Sequence, residues 1–298
     1  MAADARTHGW GEWIDFPGAL PSLHRSDAKH PDPLTMLHST PQASTRDSLR
    51  WEVAADSEGM SRNVAARMAG ELREEPTSLV CLATGASPQR AYELLAAEGR
   101  ENPALVAHAR WLKLDEWGGL AMDDPATCEV YLRRALLDPL QVPAERYMGW
   151  HSQPPDPQAE CRRVAAWLRE HGPIDLLILG IGENGHLGFN EPAEHLQSGP
   201  HIAKLAPSSL RHPMLDHSAG QVSYGLTLGI EDILSARRIL LLASGGHKAT
   251  QLWRMFEGPP SPEFPASMLL THPAVTVHCD RAAASLLPPG LPGVATAS

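Results

Sequence analysis

Residues 184 to 191 bring Asn184, His186, Asn190 and Glu191 into one glycine-rich stretch, GIGENGHLGFNEP, directly after an apolar run. An imidazole and a carboxylate at such a place can move protons near neutral pH. A single histidine there reads as well as a structural one bonded to the loop backbone; four polar groups crowded into one turn favour chemistry. The stretch also spells G-x-G-x-x-G in Gly180, Gly182 and Gly185. A dinucleotide turn needs a long helix after its last glycine and an acid ending a second strand about 20 residues on. Gly188, Asn190 and Pro192 break a helix instead, and QSGPHIAK around position 200 carries no such acid. The spelling is therefore not read as a dinucleotide site.

Three other segments offer complementary chemistry. In WLKLDEWGGL, Asp115 and Glu116 follow an apolar run, and a carboxylate at the rim of a closed crevice can have its proton affinity raised by desolvation, as a general base requires. Two solvated acids opening a turn toward Gly118 are the plainer reading of that pair. In LATGASPQRAYELL, Ser87 is the expected N-cap and Pro88 the first helical residue. A Gly-containing turn entering a helix presents N–H groups and a positive dipole end to an anion, usually phosphate. In LLLASGGHKATQLW, Lys248 opens a helix after a Gly-Gly turn, where its charge opposes the dipole and wants an anion beside it.

Each segment follows a short apolar run: 78–83, 110–114, 174–180 and 238–244, with further runs at 49–53 and 274–279. Runs apolar on both faces predict strands buried between helix layers. Helices are expected over 56–73, 88–98, 126–138, 157–171 and 247–256. The result is an α/β fold, a doubly wound and mostly parallel sheet with helices on both faces, in which ligands bind beyond the carboxyl ends of the strands. Residues 1–46, rich in His, Pro, Asp and Ser, read as a poorly ordered extension; 47–287 form the α/β domain; 288–298 form a tail.

Of 298 residues, 43% are hydrophobic, enough for a buried core, and the formal charge of −10 with no basic run speaks against nucleic acid or an anionic membrane as partner. Four scattered cysteines lack metal-ligand spacing and read as reduced thiols. No apolar leader or membrane-length stretch is visible, so the expected location is cytoplasmic.

Taken in order, LATGASP, LDEW, LGIGENGHLGFNEP and ASGGHKA resemble the glucosamine-6-phosphate deaminase / 6-phosphogluconolactonase superfamily, over roughly residues 48–280. Within it, KLDEWGGL, DPATCEVYL, RHPML, YGLTLGIEDIL and FPASMLLTH look most similar to galactosamine-6-phosphate deaminase/isomerases. Glucosamine-type members tend to read D-E-Y at 115–117 and D-G-H at 184–186; Asn184 is the departure, taken as a subfamily marker. The resemblance implies galactosamine 6-phosphate as substrate, converted with water to tagatose 6-phosphate and ammonia. The epimeric glucosamine 6-phosphate is the alternative; lactonase action or a non-catalytic sugar-phosphate sensor stand further off. It implies Asp115 as the base, His186 oriented by Asn184 and Glu191 as the ring opener, and Gly85, Ala86, Ser87 and Lys248 as phosphate ligands. Further substrate contacts are expected from Thr84, Glu116, Gly182 and Asn190. The phosphate arginine of these deaminases is not clearly matched, Arg211 lying nearby but out of register. The chemistry implied needs no metal and no organic cofactor, and a homo-oligomer is compatible with the sequence.

Overall fold

The structure, a computed structural model, describes residues 49–291 other than 217 and 219. The extension expected over 1–46 and most of the expected tail lie outside the described residues. Strand β1 (Leu49–Ala54) leads to helix α1 (Ser57–Glu74), whose first turn is capped by the Asp56 carboxylate accepting from the Gly59 amide. Strand β2 (Leu79–Leu82), helix α2 (Ala86–Glu101) and strand β3 (Arg110–Lys113) follow, then strand β4 (Asp115–Gly118). Helix α3 (Cys128–Leu132) runs into a π-helical turn at Arg133–Leu137, so the single helix expected over 126–138 is two pieces. Strand β5 (Tyr147–Met148), helix α4 (Pro157–His171) and strand β6 (Leu176–Gly180) complete the first half. The second half runs through strands β7 (His201–Ala203) and β8 (Tyr224–Thr227), helix α5 (Ile230–Leu234), strand β9 (Arg238–Ala243), helix α6 (Ala249–Glu257) and strand β10 (Val275–Asp280).

Seven strands form one parallel sheet in the order β1-β10-β9-β6-β2-β3-β5. The apolar runs are buried on both faces, as a parallel sheet demands. Val80, Leu82, Ile178 and Leu242 pack toward α1 and α2, while Leu79, Cys81, Leu177 and Leu241 pack with residues of α4, α5 and α6. From β2 the chain moves outward to β3 and β5; from β6 it moves the other way to β9 and β10. The order reverses between β2 and β6, and there the helices leave opposite faces and open a crevice at the strands' carboxyl ends.

A second, antiparallel sheet of order β4-β8-β7 lies beyond the parallel one and was not foreseen. Leu114 is the single residue between them: its amide donates to Leu82 O of β2, and its carbonyl accepts from the Leu228 amide just after β8.

Candidate active site

The loops following β2, β3, β6 and β9 meet in this crevice, and those four strands are neighbours in the sheet. Asp115 enters it from the small sheet. Far from being a solvated acid in a turn, it sits in β4 paired with Thr227 of β8 and is buried. The loop carrying His186 passes directly over it: a Cβ on Gly188, at φ +59°, would lie 3.4 Å from Asp115 Oδ2 and 2.8 Å from Thr227 Oγ1. A side chain at 188 would therefore hold the two apart.

Asp115 and Glu116 are adjacent but differ in how their charges are met. Glu116 accepts from Lys113 Nζ at 2.7 Å and from the amides of Trp117, Cys128 and Glu129 at 2.8 to 2.9 Å. Lys113 is itself fully buried and also donates to Glu129 Oε2 and Trp150 O. Asp115 receives one weak donor, the Cys128 thiol, at 3.9 Å from Oδ1. Burial, reinforced by the Glu116 charge, therefore raises the Asp115 carboxyl to about 7, against the opposing pull of Lys113. Such a group accepts and returns protons at neutral pH.

His186 lies across the loop from a carboxylate that holds it. Its Nδ1 is 3.4 Å from Glu191 Oε2 and 3.4 Å from the Ser209 hydroxyl, and Ser209 also donates to Glu191 Oε1. Burial pushes the Glu191 carboxyl up, but the contact with His186 and the donors Ser209 and Asn184 outweigh it and hold it at about 2. Asn184 does not reach the imidazole, contrary to expectation. Its Nδ2 donates to Glu191 Oε2 at 2.7 Å and its Oδ1 accepts the His186 main-chain N–H, so it orients the ring only through Glu191. Gly182 has a steric role: a Cβ there would come within 2.3 Å of His186 Cε1 and Nε2.

At the other end, α2 begins at Ala86 with Gly85, at φ +129°, as its N-cap; the cap expected at Ser87 is two residues too late. No side chain caps this 16-residue helix, leaving its first amides for a ligand. Gly85 is fixed by Tyr131, whose hydroxyl donates to its carbonyl at 2.7 Å, and the Ser87 hydroxyl lies 3.4 Å from that of Ser244. Lys248 ends a short 3-10 turn, Gly246–Lys248, and caps α6; its Nζ donates to Ile181 O, and burial lowers its pKa. Asp280, at the end of β10, anchors this turn by accepting the Gly245 amide on both carboxylate oxygens.

Other expected contacts fall elsewhere. Glu116, expected as a substrate contact, has both carboxylate oxygens engaged by Lys113 and by the amides of Trp117, Cys128 and Glu129. Asn190 is buried, its amide nitrogen donating to Leu187 O and Leu228 O, which closes the loop against β8. Thr84 lies between β2 and α2, and its hydroxyl donates to Cys128 Sγ at 3.1 Å. Arg211 is exposed at the end of a 3-10 turn. Ser209, Cys128 and Asp280 were not anticipated; each acts across 13 to 35 residues of chain, where no local pattern announces it. Among the described residues no group of three or more His, Cys, Asp or Glu side chains is arranged to hold a metal ion.

Comparison with known proteins agrees with this geometry. Over 213 residues the chain is 36% identical to AgaI of Escherichia coli (strain K12), named as a deaminase, covering 72% of this chain and 84% of that one. It is 37% identical over 240 residues to a glucosamine-6-phosphate deaminase of Geobacillus sp. (strain WCH70), covering 79% and 94%. A solved monomeric glucosamine-6-phosphate deaminase superposes with a TM-score of 0.75 at 34% identity, over 80% of this chain and 99% of that one. The defining pattern of one family, described as glucosamine-6-phosphate isomerases/6-phosphogluconolactonase, matches residues 54–278. Because that pattern spans most of the chain, and relatives of 36 to 37% identity cover more than two thirds of it, the chain belongs to the glucosamine-6-phosphate isomerase/6-phosphogluconolactonase family.

Proposed function

We propose that the protein is an amino-sugar-6-phosphate deaminase/isomerase acting on galactosamine 6-phosphate and releasing tagatose 6-phosphate and ammonia. One observation carries the reading: a buried carboxyl poised near pH 7, Asp115, lies under the loop whose His186 is held by an ionised Glu191, with an uncapped helix start and Lys248 at the same strand ends. The anion end seats the phosphate. His186 delivers a proton to the ring oxygen as the hemiacetal opens. Asp115 then removes the C2 proton while the C1 oxygen regains the proton lost from its hydroxyl on ring opening, giving an enolamine, and Asp115 returns its proton to C1. The resulting C2 imine takes up water and expels ammonia, leaving the 2-ketose phosphate. Glu191 stabilises the charged imidazole, with Asn184 and Ser209 fixing its direction. The location is taken as cytoplasmic; no helix among the described residues is long and apolar enough to cross a membrane.

Glucosamine 6-phosphate is the second reading, favoured by the two glucosamine-6-phosphate deaminases to which the chain is 37% and 34% identical. Ammonia release measured with each epimer, with the ketose product identified, decides between them. A higher kcat/KM for the galacto epimer supports the first reading, and a higher value for the gluco epimer replaces it with the second. No ammonia from either refutes deamination.

A further inference from the structure

His212 belongs to no segment assigned a role above, yet it stands between the two halves of the site. Three residues before it, Ser209 bonds Glu191 and lies 3.4 Å from His186 Nδ1, and the His212 amide donates to Ser209 O, so the two residues move as one turn. On the other side the imidazole leans on Trp117, two residues beyond Asp115 on β4: the ring centroids are 5.9 Å apart at 44°, and Trp117 in turn packs on Phe189 at 4.5 Å. The ring is also fixed in rotation. Its Nδ1 accepts the Met214 amide at 3.2 Å, capping the turn Pro213–Leu215, which leaves the proton of the neutral imidazole on Nε2.

The half-buried His212 feels both His186 and Lys248. Burial first, then the neighbouring His186 and Lys248, hold it below the ordinary histidine range, while Glu183 and Asp216 act the other way. Lys248 Nζ is bonded to Ile181 O, next to the Gly182 on which the His186 ring packs, and the Ser209–His212 turn adjoins the same ring, so Lys248 and His212 are placed as donors to one anion. We infer that His212 is a substrate-binding residue, its Nε2–H donating to the phosphate that Lys248 and the start of α2 hold, in the role for which Arg211 is misplaced. Resting as it does on the reading of this crevice as a sugar-phosphate site, the assignment needs a test that does not depend on turnover.

That test is calorimetric binding of inorganic phosphate to the full chain, alongside KM and kcat for both amino-sugar phosphates. His212→Asn keeps an acceptor for the Met214 amide but is too short to replace Nε2; His212→Gln carries an amide nitrogen near the Nε2 position. A hydrogen bond to a charged oxygen predicts that His212→Asn weakens phosphate binding and raises KM about 10- to 100-fold, with kcat changed far less. His212→Gln should recover most of that loss. The inference is overturned if wild-type protein binds no phosphate, if His212→Asn binds it like wild type, or if Gln fares no better than Asn. Intact phosphate affinity with an altered galacto-to-gluco preference also overturns it, by moving the contact to the C4 hydroxyl. If phosphate binding follows the prediction while neither sugar releases ammonia, the deaminase reading fails and the role of His212 stands.

Discussion

Replacing Asp115 by Asn should sharply lower turnover and stabilise the fold at the same time. A carboxyl raised from its ordinary 3.8 to about 7 binds protons more tightly folded than unfolded. Between these values the native state holds a proton that the unfolded chain releases, so stability falls as pH rises through this window. At about 1.4 kcal/mol per tenfold in proton binding, ionised Asp115 costs up to about 4 kcal/mol above pH 7. Asparagine has a similar shape without the charge. At pH 8 Asp115→Asn should therefore gain about 2–4 kcal/mol, raising Tm by roughly 5–10 °C for a domain of this size, and at pH 4 the gain should vanish. Over the same range wild-type kcat/KM should fall about tenfold per pH unit below 7, because only the ionised base takes the C2 proton, and the variant should lose about 10²–10⁴-fold in kcat. Thermal unfolding and ammonia release at pH 4 to 8, wild type against variant, give both readouts. Equal stability changes at pH 4 and pH 8, or near-wild-type turnover in the variant, would refute the argument that burial has made Asp115 a neutral-pH base.

Three further outcomes follow from the geometry. Gly182→Ala forces a methyl to within 2.3 Å of the His186 ring, so kcat should drop by at least about 10² while the far-ultraviolet circular dichroism is unchanged; retained turnover would show that the ring position does not matter. Lys248→Ala should raise KM for the sugar phosphate about 10-fold or more with little change in kcat, and an unchanged KM removes Lys248 from the anion site. Glu191, held at about 2 rather than its ordinary 4.5, contributes about 3 kcal/mol that is complete above pH 4.5 and lost as pH falls toward 2; Glu191→Gln should therefore unfold more easily than wild type at pH 7 and about equally at pH 2.

Chemistry-bearing residues were legible because each must be one of few types at a strand end. His186, Glu191, Asp115 and Lys248 could be singled out without knowing what surrounds them. Apolar runs such as 174–180 announced the parallel sheet because both faces are covered, whereas β7 and β8, at three and four residues, are too short for alternation to register. Errors of detail had physical causes. Gly85 can enter α2 with a positive φ, so the helix starts earlier than a serine cap would allow, and Ser87 turns its hydroxyl across the crevice to Ser244. Asn184 stands two residues from His186 and was expected to hold its ring, but the turn at Gly185, φ +88°, sends the amide to Glu191 instead.

The proton affinity of Asp115 lies still further from the sequence, since it follows from one residue of register. Leu114 passes the chain from the large sheet to the small one, with its amide on β2 and its carbonyl on the segment after β8. On either side of it, Lys113 is carried into the buried pair with Glu116 and Glu129, while Asp115 is turned under Gly188 without a comparable partner. Slipping β4 by one residue against β8 would exchange the faces, because side chains alternate along a strand. Glu116 would then face the crevice and Asp115 the buried lysine. Two adjacent acids thus become a structural anchor and a carboxyl of raised proton affinity through the pairing Asp115↔Thr227, which places the origin of the proposed base in the junction of two sheets.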